Sequence, residues 1–167
     1  MKEKIILTDI TPISVTPDAK ELANVIISRI GLCPRKKGST ENMYKTLIEI
    51  YERTKRANQE KRPELAVMTV DEMGQFAGIT RQTMYEYLDR WTTLDLIIKT
   101  SYIYEGKVVI GYKLNGNTLE TAFERVLIQI KNHMEITQKY IRDLQKTIKN
   151  EKLSLAQKIK QAGIVNS

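Results

Sequence analysis

The sequence predicts a mainly α-helical protein with one small β-hairpin and a long C-terminal helix. Three observations lead to this prediction. Residues 68–88 contain two short helical segments separated by a glycine, residues 99–113 contain two β-prone runs separated by Glu105-Gly106, and apolar residues recur every seven positions from residue 123 to 148. Helical periodicity indicates helices, whereas short β-branched runs on either side of a glycine turn indicate a hairpin.

The two short helical segments have clear start and stop residues. Thr69 can cap the first helix, and two acidic residues follow it where they suit the positive end of the helix dipole. Gly78 stands where that helix must stop and the chain must turn sharply. Thr80 is placed to cap a second helix beginning at Arg81. Two helices joined by so short a turn are typical of a helix-turn-helix, whose second helix enters the DNA major groove.

A hairpin is expected directly after this pair, from Lys99–Tyr104 and Lys107–Lys113, with Glu105-Gly106 as its two-residue turn. From Met68 to Leu114 the chain resembles the winged helix-turn-helix superfamily of transcriptional regulators, and residues 79–88 resemble that superfamily's recognition segment. The resemblance covers less than a third of the chain. It implies a mainly α fold with a small β-hairpin wing, and it implies DNA binding.

Three regions are expected along the chain. Residues 1–38 form an N-terminal extension with a short β-like run, one helix starting at Pro17 and a basic loop. Residues 39–114 form the winged domain, whose first helix is capped by Ser39 or Thr40. Residues 115–167 form a long dimerisation helix, capped by Asn117 or Thr118, with a lysine-rich tail expected to fray from Lys146 onward.

The C-terminal helix carries a heptad pattern. Two seams of apolar residues repeat at a spacing of seven, which is typical of a coiled coil or of a helix that packs on its own copy. A helix that folds back onto the N-terminal helix is the alternative. The residues expected to support dimerisation are Phe123, Leu127, Ile130, Met134, Ile141, Leu144 and Ile148.

The recognition helix is expected to bury Met84, Leu88 and Trp91, which leaves Gln82 and Glu86 pointing furthest from the core. Arginine suits a guanine edge or a phosphate, glutamine suits adenine, and a glutamate can accept a hydrogen bond from cytosine. The candidate base-contacting residues are Arg81, Gln82, Tyr85 and Glu86. The alternative is a merely solvated face, because Glu86 and Asp89 repel phosphates.

A second set of residues is expected to contact the DNA backbone. Threonine hydroxyls can bond phosphate oxygens, and lysine and arginine neutralise their charge. Lys107 stands at the tip of the wing, where its alternative role is to keep an exposed hairpin soluble. The full set is Thr80, Thr83, Arg90, Lys107, Arg35, Lys36 and Lys37.

Composition limits the other functional classes. The net charge of +7 and the isoelectric point near 9.4 favour a polyanionic partner. The single cysteine excludes a disulfide within the chain and favours the cytoplasm, and no apolar run is long enough for a membrane span. One histidine and one cysteine cannot build the usual zinc site, and no glycine-rich phosphate loop or nucleophile–base set is present. An enzyme, a metal site and a cofactor are therefore not expected.

The expected function is a sequence-specific regulator of transcription that binds double-stranded DNA as a homodimer on a palindromic site, with repression favoured over activation. Two alternatives remain open at this point. One is a DNA-organising or replication/partition protein of low sequence specificity. The other is a protein-interaction module that uses the winged domain and the coiled coil. The sequence does not identify an effector ligand.

Overall fold

The computed structural model describes residues 5–32 and 42–165, and the chain divides into two units, residues 1–127 and 128–167. Five α-helices, one 3₁₀ turn and one hairpin occupy the described residues. In chain order they are α1 (Ala19–Arg29), α2 (Met43–Glu60), the 3₁₀ turn (Pro63–Ala66), α3 (Val70–Ala77), α4 (Arg81–Thr93), β1 (Ile97–Tyr104), β2 (Lys107–Leu114) and α5 (Leu119–Val165). The mainly helical fold with one antiparallel hairpin and a long C-terminal helix is confirmed.

The start of α1 differs from the prediction. The carboxylate of Asp18 accepts a hydrogen bond from the backbone N–H of Glu21 at 2.8 Å and so caps the helix. Pro17 therefore precedes the cap, and its predicted place at the first helical position is wrong. Gly31, with φ of 71°, follows the end of the helix, a position where glycine is favoured. The β-like run at residues 5–7 forms no strand with any part of the described chain, and Thr8, directly after it, donates its N–H to the carbonyl oxygen of Arg29 at 2.9 Å.

The core of the first unit lies around α2, which packs against α1, the 3₁₀ turn, α3 and β2. Trp91 of α4 is completely buried, as predicted, and its indole N–H donates to the carbonyl oxygen of Leu32 at 3.1 Å. Ala122 and Val126, from the first turns of α5, are also completely buried. The other fully buried large side chains are Ile27, Leu32, Met43, Leu47, Ile50, Met68, Met73, Met84, Leu88, Leu96 and Ile97.

Several apolar positions at the edge of this core are less buried than the sequence suggests. Leu22 and Ile26 of α1 are 43% and 39% exposed, although their spacing predicts a buried face. Tyr44 and Tyr51 of α2 are half-buried, and their rings lie under the ammonium groups of Lys20 and Lys55, respectively. A tyrosine can keep its polar edge in water while its ring contacts a cation, so helical spacing alone overstates its burial.

The hairpin has the predicted turn. Pairing runs from Ile97 opposite Leu114 to Tyr104 opposite Lys107. Glu105 and Gly106 both have positive φ, as the tight two-residue turn of a twisted hairpin requires. At the base of the hairpin, Met68 pairs with Tyr112 through two backbone hydrogen bonds of 2.8 Å. These bonds connect the hairpin to the segment that leads into α3.

The long helix α5 begins after Thr118, whose hydroxyl oxygen accepts from the N–H of Thr121 at 3.1 Å, so the predicted threonine cap is confirmed. The expected loss of helical structure from Lys146 onward is wrong, since the helix continues to Val165. The physical reason is composition: residues 146–162 include no glycine or proline to interrupt the helix. Within residues 5–32 and 42–165 no helix combines the length and the apolar character that a membrane crossing requires.

We expect Gly111→Ala to destabilise the first unit. A Cβ atom on Gly111 would lie 2.5 Å from the carbonyl oxygen of Met68, so the hairpin would have to move away from the segment that it pairs with. Forcing an extra methyl group into so tight a contact costs about 1–3 kcal/mol. The free energy of unfolding, followed by the fluorescence of the single tryptophan Trp91, measures the loss.

Gly163→Ala is the matched control, because nothing lies within 4 Å of the added Cβ. This change in α5 should leave the Trp91 transition in place. Equal stability of Gly111→Ala and the native chain would show that the hairpin does not approach Met68 this closely.

Candidate nucleic-acid interface

The start of α3 is fixed by a reciprocal pair of hydrogen bonds. The hydroxyl oxygen of Thr69 accepts from the N–H of Glu72 at 3.2 Å, and the carboxylate of Glu72 accepts from the N–H of Thr69 at 3.4 Å. This capping box satisfies N–H groups that a helix start otherwise leaves unpaired. The predicted role of Thr69 as the cap is therefore confirmed.

Arg53 connects α2 to this capping box. Its guanidinium forms an ion pair with Glu72, a second one with Glu49 at 3.1 Å, and a hydrogen bond to the carbonyl oxygen of Val67 at 3.4 Å. The ring of Phe76, one turn further along α3, lies 5.9 Å from the same group. Burial opposes the positive charge, but the bonds to Glu72 and Glu49 outweigh that cost and raise the pKa of Arg53.

The turn between α3 and α4 has the predicted geometry. Gly78 ends α3 with φ of 69°, and the N–H of Ile79 donates to the carbonyl oxygen of Gly74 at 3.0 Å. Thr80 then caps α4, because its hydroxyl oxygen accepts from the N–H of Thr83 at 3.2 Å. Only three residues separate the helices, so the turn holds the N-terminus of α4 next to the end of α3.

The opposite end of α4 is fixed to the segment after α1. The indole of Trp91 bonds to the carbonyl of Leu32, and the guanidinium of Arg90 donates to the carbonyl oxygen of Gly31 at 3.1 Å. Met84 and Leu88 are buried on the same face as Trp91. The opposite face of α4 is thereby turned toward solvent.

That solvent-facing side carries four of the predicted residues together. Arg81, Gln82, Tyr85 and Glu86 are all exposed on α4, and Asp89 lies one turn further on the same helix. Polar side chains with both donors and acceptors, mounted on one rigid helix, can hydrogen-bond to the edges of base pairs. The surface formed by these five residues is called the α4 face below.

The first residue of the α4 face already has partners. The guanidinium of Arg81 lies 3.3 Å from the carboxylate of Asp71 and 3.3 Å from the hydroxyl of Tyr85, and its carbon lies 5.8 Å from the Tyr85 ring centre. The hydrogen bond with Tyr85, followed by the charge of Asp71, raises the pKa of Arg81. Arg81 and Tyr85 thus present a preformed donor pair at the N-terminus of α4.

The hairpin lies beside α4 through Tyr112. Burial raises the pKa of the Tyr112 hydroxyl, and the neighbouring Tyr85 and Asp89 raise it further. Tyr112 of β2 therefore lies within electrostatic range of the α4 face. The sequence gives no sign of this proximity, because Tyr112 is 27 residues from Tyr85 along the chain.

The tip of the hairpin also carries exposed apolar side chains, which the sequence prediction missed. Lys107 is exposed there, opposite Tyr104, which is also exposed. On the other face of the hairpin, Ile103 and Val108 form a cross-strand pair with Ile110 next to it, and all three are more than half exposed. The alternation of side chains along the strand predicts that Val108 and Ile110 share a face, but it does not predict that this part of the face lies outside the core.

The predicted backbone-contacting residues are spread more widely than the base-contacting ones. The hydroxyls of Thr80 and Thr83 lie 3.0 Å apart and bond to each other at the start of α4, and Arg90 bonds to Gly31. Lys107 belongs to the hairpin. The basic residues 35–37 and Cys33 lie outside the described residues.

The predicted cap of α2 is wrong. Ser39 and Thr40 lie outside the described residues, and α2 begins at Met43 with Asn42 at its cap position.

The predicted dimerisation residues fall on α5 in both units. In the first unit Phe123 is half-buried and Leu127 is 57% exposed. In the second unit Ile130 is half-buried, and the remaining residues of the seam are about half exposed. These are Met134, Ile141, Leu144 and Ile148.

A metal centre has no support in the described part of the chain. There, no group of three or more histidine, cysteine, aspartate or glutamate side chains is placed to hold a metal ion. No family model matches the chain, and neither a curated protein nor a solved structure shows significant similarity to it. The α4 face is therefore the candidate interface on its geometry and chemistry alone.

We expect Arg53→Gln to lower the free energy of unfolding by about 1–3 kcal/mol, because it removes charge-assisted bonds from two carboxylates in a partly buried site. Lys55→Gln is the matched control, since Lys55 pairs with Glu52 on the exposed side of the same helix at 3.3 Å. An exposed pair of this kind contributes about 0–1 kcal/mol. Equal losses in chemical denaturation would contradict a special role for Arg53.

Proposed function

We propose that this protein is a winged helix-turn-helix regulator of transcription that binds double-stranded DNA with sequence specificity. One observation carries the proposal: two capped helices meet at a three-residue turn, a hairpin follows at once, and the second helix exposes a polar face. In this arrangement α4 is the recognition helix and the hairpin is the wing.

The α4 face supplies the contacts that read sequence. Arg81 at the N-terminus of α4 donates to a guanine edge or to a phosphate, and its bond with Tyr85 limits its rotamers. Gln82 suits adenine, and Glu86 accepts from the amino group of cytosine. Lys107 at the tip of the wing neutralises a phosphate, and the hydroxyls of Thr80 and Thr83 donate to the backbone when DNA replaces their mutual bond.

The regulator acts as a homodimer in the cytoplasm, paired through the apolar seam of α5. In the second unit, the seam residues Met134, Ile141, Leu144 and Ile148 are about half exposed to solvent. An exposed apolar seam at heptad spacing is stabilised by a second copy. A two-fold dimer presents two recognition helices to a palindromic site. Repression requires only that the bound dimer occludes a promoter, so repression is preferred to activation.

Two specific observations favour other functions. The excess of positive charge suits a DNA-organising or replication/partition protein that binds with little sequence preference. The exposed carboxylates of Glu86 and Asp89 on the α4 face suit a protein-interaction module with a basic partner, because both repel DNA phosphates. These functions predict different outcomes in one experiment.

Selection of bound fragments from a random duplex pool, at near-physiological salt, tests the proposal. We expect a palindromic motif, with half-sites separated by about one helical turn or a multiple of it. Gln82→Ala and Glu86→Ala should each relax the preference at one base pair of each half-site, at a cost of about 1–3 kcal/mol for the preferred base. Gln59→Ala, an exposed change on α2, is the control and should select the native motif.

The other outcomes separate the alternatives. Retention of duplex without any motif would replace the regulator with a DNA-organising protein. If no duplex is retained, DNA is not the partner and the protein-interaction module is the function that remains. An unchanged motif in both α4 variants would move the reading of sequence to another part of the protein.

A further inference from the structure

The positive charge of the chain is concentrated in the second unit. Residues 5–32 and 42–127, the described part of the first unit, contain 14 lysines and arginines against 15 aspartates and glutamates. Residues 128–167 contain eight lysines and arginines against three acidic residues. The second unit therefore carries +5 of the total +7 on fewer than a quarter of the residues.

Most of these cations lie on one side of α5. At about 100° per residue, six of the eight fall within a sector of roughly 80°. The sector spans about 44 Å along the helix at a rise of about 1.5 Å per residue. Its members, called the basic sector below, are Lys131, Lys139, Arg142, Lys146, Lys149 and Lys160.

The basic sector is available to a partner. All six side chains are exposed, and none forms an ion pair with another residue that the structure describes. Glu135 is the one acidic residue that falls within the same sector. The centre of the sector is roughly 120–130° around the helix from the apolar seam, so pairing of α5 with a second copy leaves the sector open to solvent.

We propose that the basic sector of α5 binds the phosphate backbone of duplex DNA and supplies most of the electrostatic part of the affinity. This inference rests on the proposed DNA-binding function and assigns part of it to a second surface. The described part of the first unit has no net positive charge, whereas DNA-binding proteins gain much of their affinity by neutralising phosphates. The basic sector is longer than one turn of duplex, about 34 Å, so several of its cations can reach phosphates at once.

The seam of α5 argues against an anionic membrane surface as the partner. Helices that lie in a membrane interface bury a broad apolar face. The α5 seam keeps a heptad spacing, and the polar residues Thr137 and Glu151 fall at two positions of that spacing. Such a seam is typical of helix pairing. Paired helices leave the cations of the basic sector exposed to another partner.

The test compares two double variants that lose the same net charge. Arg142→Gln with Lys146→Gln removes two cations from the middle of the basic sector. Lys152→Gln with Lys158→Gln removes two cations of α5 that lie outside it. Affinity of the full-length protein for a duplex of fixed sequence is measured from about 50 to 200 mM salt, the range over which phosphate contacts lose most of their strength. Sedimentation confirms that both variants keep the native oligomeric state.

We expect the first double variant, called the sector variant, to bind duplex roughly tenfold more weakly than the native protein at the lowest salt. It should also reduce the slope of log K against log salt by about 2 per protomer, because each lost phosphate contact removes about 0.9. The control variant should keep the native slope. Equal slopes in both variants, whether lowered or native, would overturn the proposal, since the position of the cations would then not matter.

Failure of this inference can be separated from failure of the proposed function. If the native protein selects a motif and the sector variant keeps the native salt slope, the proposed regulator stands and the basic sector does not bind DNA. If the native protein selects no motif but the sector variant lowers the salt slope, the basic sector binds DNA and the proposed sequence specificity is wrong. Sector-dependent binding to vesicles of phosphatidylcholine and phosphatidylserine, without duplex binding, would replace DNA with a membrane as the partner.

Discussion

The guanidinium of Arg53 joins the elements that position the α4 face. It bonds to Glu49 on its own helix, to the carbonyl of Val67 and to Glu72 in the capping box of α3. Buried charges are tolerated only where they are paired, so this geometry is strongly restricted. Because α4 follows α3 after three residues, the place of α3 decides where α4 begins. The α4 face therefore depends on an ion pair that lies outside it.

A second restraint acts at the other end of α4. Trp91 and Arg90 bond to consecutive carbonyls, those of Leu32 and Gly31, in the segment that follows α1. One end of α4 is held by the turn and the other by the segment after α1, and these bonds oppose rotation of the helix about its axis. Rigid support of this kind suits a surface whose side chains must match base edges closely. It also gives the N-terminal extension a structural reason to be present.

The two proposals divide specificity and affinity between separate surfaces. The α4 face is mixed in charge, with Arg81 near Asp71 and with Glu86 and Asp89 exposed, so it suits discrimination between bases more than attraction to phosphates. The basic sector of α5 has the opposite character, since it offers charge and no fixed pattern of donors and acceptors. In this division the basic sector adds affinity for any duplex, because phosphate contacts carry no sequence information, and the α4 face supplies the preference among sequences.

The sequence predicts the local elements well because their signals are local. Thr69, Gly78, Thr80 and Glu105-Gly106 each act within a few residues, and the structure has the cap, stop or turn that each predicts. The turned-out face of α4 follows from the spacing of Met84, Leu88 and Trp91.

The remaining features depend on contacts between distant residues. Arg53 reads in the sequence as one charge at the end of a charged helix, and nothing nearby indicates its bond to Glu72, 19 residues away. The proximity of Tyr112 to the α4 face and the exposure of Ile103 at the tip of the hairpin depend on where the hairpin lies. Helix propensity predicts that α5 extends past Lys146, and the lysine-rich composition there was the misleading signal.

Photo-crosslinking from α4 tests the central claim most directly. A benzophenone side chain placed at Gln82 should crosslink to the bases of a duplex that the protein binds, whereas the same group at Gln59, exposed on α2, should not. Crosslinks from Gln82 that map to both halves of a palindromic duplex would place one recognition helix on each half-site. Tight binding of the duplex with no crosslink from Gln82, or with equal crosslinks from both positions, would contradict the assignment of α4 as the recognition helix.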